Sequence, residues 1–246
     1  MTASASVALT WLPANGGLIN DAAAIGRVTR AAGVPYFIDA GQAIGQLPVD
    51  VATLGCDMLK GACRKYLRGP RGTALLYVRK AFLPSLEPAF IDVHSAPWVD
   101  GGPVPRQDAR LFETIETSIA LQLGLGAALR HAYSLGIPAI RERINLLADG
   151  LRARLGDIRG VAVRDLGTER SGLVSFTVEG LGAQEVRTRL AREQITVGAN
   201  GVPYTPLDMT ARKLTEIIRA SVSYFNTEEE IERLAVAVAR IAHGAG

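Results

Sequence analysis

Three residues of this chain combine a reactive or ion-binding side chain with a setting suited to chemistry. Asp39 closes the apolar run 35–39 and opens Asp39-Ala40-Gly41-Gln42. Ligands of open α/β sheets bind beyond the carboxyl ends of strands, so an acid there can serve a site; equally, it can cap the turn that follows. Lys65 lies in Gly61-Ala62-Cys63-Arg64-Lys65-Tyr66-Leu67-Arg68-Gly69-Pro70-Arg71-Gly72, where four cations fall within eight residues. A lysine among cations in a partly desolvated loop gives up its proton more readily, which suits Schiff-base chemistry, and such a loop can also cradle an anion. The plainer reading is an exposed basic turn. Arg219 stands in Ile217-Ile218-Arg219-Ala220-Ser221. A guanidinium among apolar neighbours needs a two-pronged carboxylate partner, either a ligand or a structural ion pair.

The other candidates are weaker. His94, His131 and His243 lie far apart, with no carboxylate or cysteine at metal-ligand spacing, so no metal is expected. His131 reads as a surface residue. Asn200 and Tyr204 are conceivable pocket-lining residues. The two cysteines, Cys56 and Cys63, can form neither a disulfide framework nor a four-cysteine zinc site, and a reducing, cytoplasmic setting is the default.

Composition narrows the class. A length of 246 residues allows one large domain or two modest ones. Glycine (26) and proline (12) are near average, which excludes collagenous and disordered chains. The 27 basic and 24 acidic side chains form no run of five like charges and no basic–aromatic pattern, so no nucleic-acid partner is expected. No apolar stretch approaches the length of a membrane span, and residues 1–6 do not read as a signal peptide.

The elements that must hold these side chains follow from periodicity. Strands are expected at 7–11, 35–39, 56–59 and 73–78, with a helix from an Asn20 cap to residue 32 ended by Gly33. Strands that are apolar on both faces and alternate with helices indicate a parallel α/β sheet. Residues 84–107 read as an irregular proline-rich segment, followed by a long helix over 113–135. A helix over 138–155, strands near 161–164 and 173–178, a helix near 183–193, strands near 195–198 and 219–224 and a final helix over 228–242 read as a smaller α+β domain. The boundary is placed at 133/134.

Taken together, Phe37-Ile38-Asp39-Ala40-Gly41-Gln42, then Arg64-Lys65 with Arg68-Gly69-Pro70-Arg71-Gly72-Thr73, then Arg219-Ala220-Ser221 with Tyr224-Phe225-Asn226-Thr227-Glu228-Glu229, resemble the class V aminotransferase family. These are fold-type I pyridoxal-phosphate enzymes, among them cysteine desulfurases, isopenicillin N epimerase and hercynylcysteine sulfoxide lyase. The order and spacing agree along essentially the whole chain. The resemblance implies the later part of a mainly parallel large-domain sheet plus a small C-terminal α+β domain. Lys65 would form the internal aldimine with pyridoxal 5'-phosphate and shuttle protons at Cα. Asp39 would pair with the pyridine nitrogen, Gln42 with the ring hydroxyl, and Arg219 with the substrate α-carboxylate. Arg64, where many relatives have histidine, would contact the phosphate; the Arg-Lys pair is closer to the epimerase and sulfoxide-lyase branch.

The same resemblance implies an amino-acid substrate and a homodimer, with Glu113, Glu116 and Thr117 near the dimer boundary. The function expected is class V aminotransferase-like chemistry; the alternatives are a carbon–sulfur lyase and a truncated, non-catalytic subunit that only dimerises. Three departures bear on this. Roughly 150 residues that open the family's large domain have no counterpart here, which would leave a sheet edge and an apolar surface to be covered. Ala62 stands where relatives carry a hydroxyl for the phosphate. No cysteine falls between 195 and 218, where a desulfurase carries its mobile thiol, so a persulfide-forming desulfurase is not expected.

Overall fold

The structure, a computed structural model, describes residues 6–244; residues 1–5, within the stretch where no signal peptide is expected, lie outside the described residues. Packing divides the chain into two units, one made of residues up to Trp11, Asp21–Gly45 and Val49–Ser134, the other of Leu12–Asn20, Gln46–Pro48 and Leu135 onward.

In the first unit the apolar runs up to Val78 form one sheet. β1 (Val7–Thr10), β2 (Tyr36–Asp39) and β3 (Met58–Ala62) are parallel neighbours, and β4 (Ala74–Val78) joins β3 antiparallel at the edge. Parallel neighbours require crossovers. The first contains α1 (Ala22–Ala31), whose cap is Asp21 rather than Asn20: Asp21 Oδ1 accepts the Ala24 N–H at 2.9 Å, the donor that a capping oxygen reaches. The second contains α2 (Val51–Leu54), a single turn too short to leave a periodic signal, capped by Asp50 and ended by a left-handed Gly55. The two helices meet at Gly26, where a Cβ would come within 2.0 Å of the Leu54 carbonyl oxygen. Tyr36, Ile38 and Leu59 are buried on one sheet face, and the Tyr36 hydroxyl donates to the Ala22 carbonyl at the start of α1. Phe37, Asp39, Met58 and Lys60 line the other, more exposed face.

Residues 79–118 are largely irregular, a longer span than the 84–107 expected, apart from two short 3-10 turns and a small hairpin of β5 (Trp98–Val99) and β6 (Gly102–Pro103). Asp92 ties this segment together. It accepts N–H bonds from Ser95, Ile115 and His94, which hold its carboxyl down to about 2. Because the Ile115 N–H is spent on Asp92 and Glu113 is extended, the expected helix at 113 starts only at Ile119; α3 is Ile119–Leu135.

The second unit holds α4 (Ile137–Gly156), β7 (Val161–Val163), β8 (Leu173–Val178), α5 (Ala183–Arg192), β9 (Gly198–Gly201), α6 (Pro206–Ala211), β10 (Glu216–Ser221) and α7 (Glu228–His243). Its sheet is antiparallel throughout, in the order β7-β8-β10-β9. Val174, Phe176, Ile218 and Ala220 face a core closed by Leu151 and Leu155 of α4, Val186 and Leu190 of α5, and Leu234 and Val238 of α7. Alternation then puts Arg219 on the opposite face. Two expected strands are displaced. The Ile195 N–H closes onto the Leu190 carbonyl behind α5, so the ladder starts at Gly198 instead of 195. β10 ends at Ser221 because the Ser223 N–H turns to the Asn226 side chain. Thr227 and Glu230 form a capping box at the start of α7.

The segment Leu12–Asn20 is held in this unit by a buried ion pair. Arg152 Nε lies 2.7 Å from Asp165 Oδ2, and Arg152 Nη2 donates to the carbonyls of Ser171 and Leu173. Asp165 Oδ1 accepts the N–H groups of Gly17 and Ser175. The fit leaves no room at Gly17, where a Cβ would stand 2.6 Å from Arg152 Nη2 and 2.7 Å from the Leu173 carbonyl oxygen. Removing one partner of such a pair strands the other as a buried charge. Arg152→Met is expected to cost about 3–5 kcal/mol of stability in urea denaturation; a loss below about 1 kcal/mol would show that Asp165 is solvated and the pair a surface one.

Candidate functional site

Asp39 ends the central strand of the parallel set, and its backbone is fixed on both sides: its carbonyl accepts the Trp11 N–H, and the Ala40 N–H goes to the Lys60 carbonyl. The carboxylate does both things that the sequence left open. Oδ1 accepts the Gly41 N–H at 2.9 Å and caps its turn. Oδ2 lies 2.8 Å from Lys60 Nζ. Asp39 and Lys60 are registered partners on β2 and β3, so both side chains leave the same face.

Lys65 sits in the loop between β3 and β4, which is closed by backbone bonds from Gly69 N to the Cys63 carbonyl, Arg68 N to the Lys65 carbonyl and Cys63 N to the Thr73 carbonyl. Two glycines press the Asp39 loop against this one. Gly45, at φ +92°, would place a Cβ 2.2 Å from the Leu67 nitrogen, and a Cβ on Gly61 would stand 2.0 Å from Ile44 Cδ1. Only glycine permits the backbone approach at Gly45.

Lys65 and Asp39 are thereby brought together at Gly41. The point where Gly41 would carry a Cβ is 2.9 Å from Asp39 Oδ1, 3.5 Å from Ala62 Cβ and 3.7 Å from Lys65 Nζ. Gln42 is half-buried one residue beyond Gly41, and Arg64 is exposed beside Lys65. An amine, a carboxylate and a cationic loop around Gly41 match the donor set of an aromatic aldehyde phosphate: the amine for the carbonyl carbon, the acid for the ring nitrogen. Ala62 offers only a methyl group.

Lys60 is the residue that the sequence pattern did not bring forward. Its signal was present, since a lysine within Met58-Leu59-Lys60-Gly61-Ala62 interrupts an apolar run and needs a partner.

Both cysteines are structural. Cys56 is buried, and burial pushes its thiol up to about 11; burial also raises the Cys63 thiol, against a hydrogen bond with Thr73 that lowers it.

In the second unit Arg219 Nη1 donates to the Ala14 carbonyl at 2.8 Å, so a bound carboxylate would share the guanidinium with that oxygen. Asn200 donates to the Asn15 side-chain oxygen and to Ala14, and buried Asn15 donates to the Gly201 carbonyl and to Thr205 Oγ1. Asn200 is thus a brace for the strand that faces Arg219. Tyr204 is exposed. His94 pairs with Glu113 at 3.3 Å, and Glu116 and Thr117 are exposed.

The chain is similar to known proteins along most of its length. The chain is 30% identical over 227 residues to a probable cysteine desulfurase of Halalkalibacterium halodurans, covering 89% of this chain and 53% of that protein. It is 32% identical over 218 residues to probable cysteine desulfurase 1 of Mycobacterium leprae, covering 86% of this chain and 34% of that protein. The chain therefore spans about a third to a half of the curated relatives it matches. Apo cysteine desulfurase from Thermococcus onnurineus superposes with a TM-score of 0.91 at 25% identity, over 97% of this chain and 60% of that one. The cystine C–S lyase C-DES, in complex with its product cysteine persulfide, gives 0.84 at 26%, over 95% and 60%; a C-DES variant has been solved with glycine covalently linked to its pyridoxal-phosphate cofactor. The aminotransferase class-V family profile matches residues 2–234, and the chain belongs to that family.

Proposed function

We propose that this chain is the later portion of a pyridoxal-phosphate enzyme that cleaves carbon–sulfur bonds in an amino-acid substrate. The observation that carries the reading is the convergence of Lys65 Nζ and Asp39 Oδ1 on Gly41. When bound, pyridoxal phosphate supplies a carbonyl carbon for the amine and a ring that withdraws electrons from the substrate Cα.

The chain's own residues do the rest. Lys65 Nζ would hold the cofactor through its aldehyde carbon and would serve as the base for the substrate Cα proton. Asp39 would keep a proton at the ring nitrogen, and Gln42 would orient the ring hydroxyl. Arg64 offers the phosphate a cation, and Arg219 binds the substrate α-carboxylate. Loss of the Cα proton with departure of the Cβ sulfur as thiolate is a β-elimination; water then converts the three-carbon remainder to pyruvate and ammonia.

Lyase chemistry is favoured over persulfide transfer by the thiols. A desulfurase needs a cysteine nucleophile, and the two cysteines of this chain are buried with thiols pushed up, whereas β-elimination needs none. The similarity to a C–S lyase supports the same reading over amino transfer. It carries with it a division into a cofactor-binding large domain (1–133) and a small domain (134–246). A homodimer is supported by apolar α3, which leaves Ile119, Leu123 and Tyr133 exposed. No helix among the described residues is long and apolar enough to cross a membrane.

Two outcomes check this. With pyridoxal phosphate the chain is expected to give a near-visible absorption band that borohydride fixes as a covalent adduct, absent in Lys65→Ala; cystine or a cysteine S-conjugate should then yield pyruvate, ammonia and a sulfur product. A keto acid paired with a new amino acid would instead mean amino transfer, and equal spectra for both proteins would mean a non-catalytic subunit. Thiol titration at pH 8 should label neither cysteine in the folded chain, and both in denaturant, because burial shields both thiols and pushes them up, that of Cys56 to about 11. Fast labelling of either one in the folded chain would reopen persulfide chemistry.

A further inference from the structure

Lys60 has no part in the reading above, yet it holds the carboxylate on which that reading depends. Its Nζ lies 2.8 Å from Asp39 Oδ2, across a registered pair of adjacent parallel strands. We infer that Lys60 is a positioning residue that competes with the cofactor's ring nitrogen for Asp39, and so sets how strongly the chain distinguishes a pyridine nitrogen from a carbon at that place in the ring. The inference rests on the proposed cofactor site.

The backbone makes the pairing persistent. In-register neighbours on parallel strands send their side chains from the same face about 4.8 Å apart, so Lys60 reaches Asp39 without a special backbone geometry. The other oxygen, Oδ1, is engaged by the Gly41 N–H. A carboxylate has about four lone-pair positions and can accept a ring N–H beside an ammonium. Two cations on one carboxylate nevertheless repel each other, and each weakens the hold of the other. A ring with carbon in place of nitrogen asks nothing of Asp39 and is indifferent to this contest.

Fold stability does not explain the lysine. The side chains of Lys60 and Asp39 are 47% and 33% exposed, and a partly exposed ion pair contributes little. An apolar or β-branched residue would suit the strand at least as well.

The test compares the full chain with Lys60→Met and Lys60→Arg, using two probes that lack the aldehyde and so report non-covalent binding. One is pyridoxine 5'-phosphate; the other is its analogue with CH replacing the ring nitrogen. The ratio of the two affinities isolates the ring nitrogen from any general effect of charge on the phosphate. In Lys60→Met this ratio is expected to shift about three- to fivefold in favour of the nitrogen ring, the scale of a partly exposed ion pair. Lys60→Arg, which keeps the cation, should stay near the parent. An unchanged ratio in Lys60→Met, with measurable binding of both probes, overturns the role of Lys60 and leaves the cofactor site standing. Failure of all three proteins to bind either probe, with circular dichroism unchanged, overturns the cofactor site and this inference with it.

Discussion

The site in the first unit depends on one contact between backbones. Gly45 lies so close to Tyr66 and Leu67 that any side chain would collide with the main chain, and Gly61 leaves space that Ile44 fills. These two approaches lock the turn after Asp39 onto the loop that carries Lys65. Without them the acid and the amine would still be ends of neighbouring elements, but nothing would fix their separation. Rigid elements position a site better than loops do; here two loops behave as one element because glycine lets their backbones touch.

The second unit achieves the same end with charge. Arg152 and Asp165 are both buried, and their hydrogen bonds reach the Gly17 nitrogen and the carbonyls of Ser171 and Leu173. A segment remote in sequence, Leu12–Asn20, is thereby built into the unit that carries β10. Its Ala14 carbonyl in turn receives Arg219 and Asn200. The guanidinium proposed to bind a carboxylate is thus held in part by a peptide carbonyl.

The chemistry proposed for the chain differs from that named in its desulfurase relatives. Those names point to cysteine as substrate and, in the desulfurases, to transfer of its sulfur. The two thiols here are buried, and burial raises both. The proposed site rests on the amine of Lys65 and the acid of Asp39, with Lys60 beside the acid. Shared activation at Cα and a different fate for sulfur are compatible, because the steps that separate these reactions follow the common one.

Much of this was legible in the sequence, and the limits have physical causes. Apolar runs that alternate with helical periodicity determined the strands at 36–39 and 74–78, the long helices and the class of each sheet, because burial on one or both faces leaves a local pattern. Asp39 and Lys65 could be singled out because a charged side chain at a strand end or among cations is locally anomalous. The parts that went astray depended on distant partners: the start of α3 on Asp92 taking the Ile115 N–H, and the start of β9 on Ile195 closing α5. Hydrogen bonds between remote segments leave no period in the chain. The Lys60–Asp39 pair belongs to the same class, since it exists only when β2 and β3 lie side by side in register. Residue type and spacing therefore determined which groups could react. Only the tertiary structure decided which stand together, because strand register and the approach of two backbones at a glycine are properties of the packed chain.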